Sequence, residues 1–294
     1  MKVHVFLRGV LLTAVLGAGL WVRSLPPLHM AAAGPAAWWP WTRPSVATLY
    51  FADGRFLFPV SRRLATTDDM PLATLEALLD GPGAGSGLTS PIPEGVRIRS
   101  FTVSDGVARI DLSSDFAGED EASAAKAAIV ETMTAVPGVR SVALSIEGNG
   151  PARSATRTPL FYYASANGLV AVPAAAQTAR DAVIAYMAGP PDPALTGIPR
   201  DVRLLRYEYE PDDGLASLDF AYTSSIRTLA LEKPDIMRSV LLGLIASLTE
   251  FPGVRAVRID FDGHARLGLG ECSDLLRTPQ PRPRLLNDER LLGR

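Results

Sequence analysis

Apolar and polar residues alternate with a period of two in several short runs of this chain, and helical spacing interrupts them at regular intervals. Ala108, Ile110 and Leu112 alternate with Arg109 and Asp111, which predicts a strand with one buried and one wet face. Ala216, Leu218 and Phe220 alternate with Ser217 and Asp219 in the same way. Opening strands are predicted at Ala47–Phe51 and Pro159–Tyr163, followed by extended pieces at Phe56–Val60 and Leu169–Val172. Leu75, Leu78 and Leu79 share one helical face, as do Val183, Tyr186 and Met187, and each helix runs into a Gly-Pro stop at Gly81-Pro82 or Gly189-Pro190. The strands Val96–Val103 and Val107–Leu112 join through Asp105-Gly106, a favoured hairpin pair. A second helix places Ala122, Ala125, Ile129, Met133 and Val136 on its inner face, matched later by Met237, Val240, Leu244, Leu248 and Phe251. A last strand carries Val142, Leu144 and Ile146, or Val257, Ile259 and Phe261.

These matches describe an internal duplication. Ile92-Pro93-Glu94-Gly95-Val96-Arg97 returns as Ile198-Pro199-Arg200-Asp201-Val202-Arg203, and Val136-Pro137-Gly138-Val139-Arg140 as Phe251-Pro252-Gly253-Val254-Arg255. The matched positions stay in order, with an offset that drifts from 106 to 115 residues. Two copies of one fold follow, over residues 46–150 and 156–265. Each copy reads β-(β)-α-β-β-α-β, an α+β unit with a β-sheet and two helices packed on one face. Copy two is expected to carry the longer loop, near Tyr222–Lys233, and a tail follows over 266–294. In that tail Pro279, Pro281 and Pro283 predict an extended segment, and the Leu pairs around Asn287–Arg290 predict one amphipathic turn.

Composition narrows the function. Lys and Arg number 29 against 31 Asp and Glu, a balance that argues against a nucleic-acid partner. A single cysteine, Cys272, excludes an intrachain disulfide and a Cys-based zinc site, and three histidines leave little for acid–base chemistry. Lys2, His4 and Arg8 precede an apolar run from Gly9 to Val22 that ends at Arg23. The pattern predicts a signal peptide or an uncleaved signal anchor over residues 1–24, with the rest of the chain outside the cytoplasm, secreted or membrane-anchored through that segment. No cysteine follows the run to accept a lipid. Residues 25–45, rich in Pro and Trp, read as a linker whose Trp38, Trp39 and Trp41 suit either a membrane interface or docking on the first copy.

Candidate chemistry is sparse, and no catalytic, cofactor-binding or metal-binding residue is assigned. Ser123-Ala124-Ala125-Lys126 has the Ser-x-x-Lys spacing of acyl-serine hydrolases without their partner motifs, and Leu241 replaces the lysine in copy two. Asp260-Phe261-Asp262-Gly263 begins like a calcium loop, but Arg258 and Leu269 stand where ligands are needed. Gly83, Gly85 and Gly87 follow a helix rather than precede one, so they form no phosphate cradle. Asp111 and Asp219 recur on the wet face, where they are expected to bond neighbouring loops. His264 has only Cys272 near it as a companion ligand and reads as a surface residue.

The motifs together resemble the GerM family, built from tandem GerMN (sporulation and spore germination) domains. The resemblance is carried by Leu49-Tyr50-Phe51, Leu78-Leu79-Asp80-Gly81-Pro82 and Leu88-Thr89-Ser90-Pro91-Ile92-Pro93-Glu94-Gly95. Asp105-Gly106-Val107-Ala108-Arg109-Ile110-Asp111-Leu112-Ser113, Phe116 and Pro137-Gly138-Val139 continue it. Copy two matches more loosely, without the Leu-Thr-Ser step before Ile198-Pro199. The resemblance implies folds similar to ring-building motifs, no enzymatic activity and no cofactor. It also implies a membrane-attached, extracytoplasmic protein that helps assemble the channel complex between mother cell and forespore. The implied partners are sporulation channel proteins in the intermembrane space, the membrane itself and possible further copies of the chain. An alternative from another class is an exported regulatory module acting on a sensor kinase or a cell-wall enzyme.

Overall fold

The computed structural model describes residues 45–116, 121–150, 154–264 and 268–293. The expected signal segment and, apart from Ser45, the Pro/Trp-rich linker lie outside them, as do His4 and His29. Among the described residues no helix is long and apolar enough to cross a membrane.

Both copies fold in the expected order. The first contains strands β1 (Ser45–Asp53) and β2 (Phe56–Leu64), helix α1 (Met70–Leu79), β3 (Ile98–Ser104), β4 (Val107–Leu112), helix α2 (Glu121–Thr134) and β5 (Ser141–Ile146). A two-residue strand β6 (Ala155–Thr156) leads into the second copy. There β7 (Leu160–Ala164), β8 (Leu169–Pro173), α3 (Ala179–Met187), β9 (Leu204–Glu210), β10 (Leu215–Phe220), α4 (Ser224–Glu232), α5 (Pro234–Leu248) and β11 (Ala256–Phe261) follow. The chain continues through a short helix α6 (Asp274–Arg277) and strand β12 (Gln280–Pro281) to a 3-10 turn at Glu289–Leu291.

Local chemistry explains the boundaries. Asp69 accepts the Leu72 N–H at 3.0 Å to start α1, and Thr178 accepts the Asp181 N–H at 3.2 Å to start α3. Pro234 and Asp235 occupy the first turn of α5, where a missing donor costs nothing and a negative charge meets the helix dipole. Asp105 and Gly106 both take left-handed φ angles, 53° and 75°, the backbone a two-residue hairpin turn requires. One segment departs from the pattern. Tyr222–Lys233, expected as a loop, contains α4, capped by Thr223 and buried through Ile226 and Ala230 one turn apart. Its polar exposed face leaves a hydrophobic pair too short to signal a helix.

The α+β class holds, and the strands of each copy are divided between two sheets. β3-β4-β5-β6 form one four-stranded sheet and β9-β10-β11-β12 its counterpart. In each, the strands flanking the second helix run parallel, β4 with β5 and β10 with β11. The opening hairpins join one another instead, in a third sheet of order β1-β2-β8-β7. One buried cluster runs through both copies, from Leu49, Phe51 and Ile110 to Tyr163, Leu218 and Leu244. Each such side chain contributes about 1.5–3 kcal/mol by leaving water. The hairpins turn their other face to a second, smaller cluster around Tyr50 and Tyr162.

Candidate functional site: the junction of the two copies

The shared sheet has two edges, β1 and β7, and a helix lies along each. Tyr50 N–H in β1 donates to Thr132 Oγ1 of α2 at 3.0 Å, and Tyr162 N–H in β7 donates to Ser247 Oγ of α5 at 2.9 Å. Each hydroxyl thereby satisfies an edge donor that would otherwise invite another strand. The equivalence of the two contacts defines an approximate twofold relation between the copies.

On that axis the phenols meet, with Tyr50 Oη and Tyr162 Oη 3.0 Å apart. Both rings are fully buried. Tyr162 Oη donates to Glu250 Oε1 at 2.7 Å, so the Tyr50 proton completes the chain towards Tyr162. Two arginines arrive from equivalent places. β6 adds to β5 with Val142 opposite Ala155, and β12 adds to β11 with Val257 opposite Gln280; the residue after each edge strand is Arg157 or Arg282. Arg157 Nη2 donates to Tyr50 Oη, Tyr162 Oη and Glu250 Oε1 at 3.2, 3.1 and 2.6 Å. Arg282 reaches Tyr162 Oη at 3.0 Å, the Ala246 carbonyl at 2.9 Å and Glu250 at 2.6 Å.

Glu131 of α2 completes the cluster, with Oε2 3.3 Å from Arg157 Nε. Neither of those two atoms has a hydrogen-bond partner among the described residues. Burial, offset in part by Arg157 and reinforced by Glu250, pushes the Glu131 carboxyl up to about 7. Burial also raises both phenols, so they act at neutral pH as fixed hydrogen-bond donors. Burial alone would favour discharging Arg157, but the surrounding phenols and carboxylates outweigh it and hold the guanidinium charged. Glu250 and the two guanidiniums it pairs with fasten the copies together, because removing Glu250 leaves two partly buried positive charges without their shared partner.

The C-terminal segment closes the same junction. Pro59 sits in β2, a central strand, and cannot donate to the ladder. β2 and β8 accordingly pair only through Leu57 and Ala171. The Asn287 side chain stands in for the missing pairing: Nδ2 donates to the Pro59 and Leu169 carbonyls at 2.6 and 2.9 Å, and Oδ1 accepts the Leu169 N–H at 2.9 Å. Gly168 makes room for it, since a Cβ there would collide with Asn287 Oδ1. Ser61 then takes the strap on both sides, its N–H donating to the Asn287 carbonyl and its Oγ accepting from Leu286 N–H. Glu289 accepts from Arg62 and from the Gly83 N–H, which ties the glycine loop to the strap. The tail is thus a structural member that holds both copies.

The residues singled out by motif take structural places. Asp111 Oδ1 accepts from Ser145 Oγ and the Gly148 N–H, both at 2.8 Å, and these bonds hold its carboxyl below the usual range. Asp219 Oδ1 accepts from the Gly263 N–H at 2.9 Å. Each carboxylate braces the left-handed turn after the last strand, at Glu147-Gly148 or Asp262-Gly263. Asp260 pairs beside Asp219 on the outer sheet face, and Asp262 accepts the Tyr222 N–H. Lys126 and His264 are exposed, and Cys272 is buried with its thiol on the Pro234 carbonyl. Among the described residues no three His, Cys, Asp or Glu side chains converge as a metal site. Sequence motifs did not reveal Arg157, Glu250, Arg282 or Asn287. The one available signal was Tyr50 and Tyr162 at matching places in the opening strands.

Comparison with known proteins agrees with this two-copy architecture. The family model described as Germane, sporulation and spore germination, matches twice, over residues 48–150 and 160–266. No curated protein sequence matches the chain. Among solved structures, the tandem GerMN domains of the sporulation protein GerM from Bacillus subtilis align with a TM-score of 0.64 at 19% identity, over 84% of this chain and 99% of that one. The first GerMN domain of the same protein aligns over 39% of this chain and 94% of its own length, at 18% identity and a TM-score of 0.32. With both halves matched by one family model and the tandem fold shared, this chain belongs to the Germane family of sporulation and spore germination proteins.

Proposed function

We propose that the chain is a non-enzymatic, extracytoplasmic structural protein that assists assembly of the channel complex between mother cell and forespore. The double family match carries this reading, since both halves of the folded region belong to a sporulation and germination family. The junction supports it. A cluster of buried phenols, guanidiniums and carboxylates, crossed by a strap, sets two domains at one fixed angle, as a scaffold requires. The outer strands β3 and β9 end their sheets and leave backbone donors and acceptors on one side for partner contacts.

The test is the position of a fluorescent fusion in the host through growth and spore formation. The expected result is a signal confined to sporulating cells, at the membranes around the forespore. Even distribution around growing cells would overturn this role in favour of an exported regulatory module.

A further inference from the structure

The approximate twofold relation makes the two halves of the junction directly comparable, and one half is filled where the other is open. On the α5 side Leu286 of the strap is buried in one cluster with Leu169, Tyr162 and Ala246, and Leu242 packs against it. The hairpin registers and helix contacts equate Leu169 with Leu57, Tyr162 with Tyr50, Ala246 with Glu131 and Leu242 with Ala127. On the α2 side Leu57, Ala127 and Glu131 line an open cleft of about 700 Å³, whose walls also include Leu160, Ala171 and Ala124. The cleft therefore keeps the hairpin leucine that packs on Leu286 across the axis, has the smaller Ala127 in place of Leu242 and Glu131 in place of Ala246, and no segment among the described residues fills it.

Glu131 gives the cleft a polar anchor. Its side chain is only 8% exposed, yet it lines the cleft, and Oε2 has no hydrogen-bond partner among the described residues. Arg157 Nε, 3.3 Å away, offsets its charge without forming an aligned hydrogen bond, so Oε2 keeps acceptor capacity towards the cleft. On the α5 side the equivalent place is Ala246, whose carbonyl is satisfied by the Arg282 guanidinium four residues before Leu286. A donor and an aliphatic side chain four residues apart thus fill the α5 half, whereas on the α2 side Arg157, the counterpart of Arg282, stands beside Glu131 and the aliphatic place is the one left open. The chain's own strap is already committed there through Arg282, Leu286 and Asn287.

We propose that the α2-side cleft binds an extended segment of a partner protein, which seats an aliphatic side chain against Leu57, Leu160 and Ala127 and directs an N–H donor side chain to Glu131. The proposal deepens the assembly reading by specifying the form of the partner, and it rests on that reading only for the partner's being a protein. It is tested on the isolated full chain, so its failure and a failed localisation are separate results.

The probe is a fluorescein-labelled peptide, Arg-Pro-Arg-Leu-Leu-Asn, that copies the strap from 282 to 287. It is titrated by fluorescence anisotropy into the wild-type chain, Ala127→Trp and Glu131→Gln. Ala127 is exposed on α2, so tryptophan there blocks the cleft without disturbing the core, and unchanged melting checks the fold. The expected result is saturable binding to wild type, at least tenfold weaker binding to Ala127→Trp, and several-fold weaker binding to Glu131→Gln. No saturation by millimolar peptide overturns the proposal. Equal binding to wild type and Ala127→Trp also overturns it, because the peptide would then be displacing the strap on the α5 side or binding another copy's strap slot.

Discussion

The helices α2 and α5 cover equivalent sheet edges in different ways. α5 brings Gly243 against β7, so close that a Cβ would collide with the Tyr162 carbonyl oxygen and press on the Tyr186 hydroxyl. α2 carries Ala128 at the equivalent place, fully buried beside β1. Copy two uses the close approach to seat Tyr186, whose hydroxyl donates to the Tyr162 carbonyl at 2.9 Å. Copy one has Leu78 at that position and needs no such approach. The charges differ in the same sense. Glu250, two residues past the end of α5, is held by two arginines, whereas α2 places Glu131 beside one arginine and an open cleft. A duplicated fold can keep its backbone plan while the two copies divide the work, one closing the junction and the other leaving a groove.

The comparison breaks most severely at Glu250. Glu250→Ala leaves Arg157 and Arg282 without their shared carboxylate in a site where Glu250 itself is only 4% exposed. A loss of about 3–5 kcal/mol is expected, read as a lowered denaturant midpoint.

Glu131→Gln should act in the opposite direction. The folded carboxyl titrates at about 7, above its ordinary value, with Arg157, Glu250 and the Thr158 N–H as its charged and hydrogen-bonding neighbours. A raised acid stabilises the fold in its neutral form, so its contribution is fully present below pH 4 and is lost as pH rises through 7. The wild type should lose on the order of 3 kcal/mol across that window through this group, and Glu131→Gln should not. Melting curves at pH 5 and pH 8 distinguish them: the variant gains relative to wild type only at pH 8. An equal offset at both values would show that Glu131 does not titrate between them and would overturn this assignment.

Asn287→Ala removes the amide that substitutes for the ladder at Pro59. Leu169 N–H and two carbonyls lose their partner, and a cost of about 2 kcal/mol is expected. Hydrogen exchange should quicken at Leu169 and Ser61 and leave β4 and β10 unchanged. Uniform quickening would mean that the strap supports the whole fold rather than the junction.

The smallest expected effects sharpen the helix comparison. Gly243→Ala gains about 1 kcal/mol of helix propensity but forces α5 away from β7, for a net loss of about 1–2 kcal/mol. Ala128→Gly in α2 costs about 1–2 kcal/mol, through propensity and the loss of a buried methyl. Thermal melting of the pair tests whether the two contacts differ: equal and opposite shifts would erase the distinction drawn between the helices.

Much of the fold was readable before any coordinates. Period-two alternation placed β4 and β10, and Gly-Pro stops placed the ends of α1 and α3, because these signals are local. Helix α4 was missed because its buried pair, Ile226 and Ala230, is too brief against a polar face. The candidate site was almost wholly hidden. Arg157 and Arg282 lie after edge strands of two residues each, too short for any periodicity, and Asn287 is one polar residue in a proline-rich tail. Pro59 was a visible anomaly within an apolar strand, but nothing nearby could say what would compensate it.

The amino-acid sequence by itself determined the duplication, the α+β class and the order of elements, since propensity, turn chemistry and apolar period act within a few residues. The tertiary structure alone decided that the two opening hairpins would share one sheet and that the tail would lock it. Those outcomes depend on matching edges and charges more than a hundred residues apart. Their energies come from desolvation and geometry, which exist only once the chain has brought those groups together.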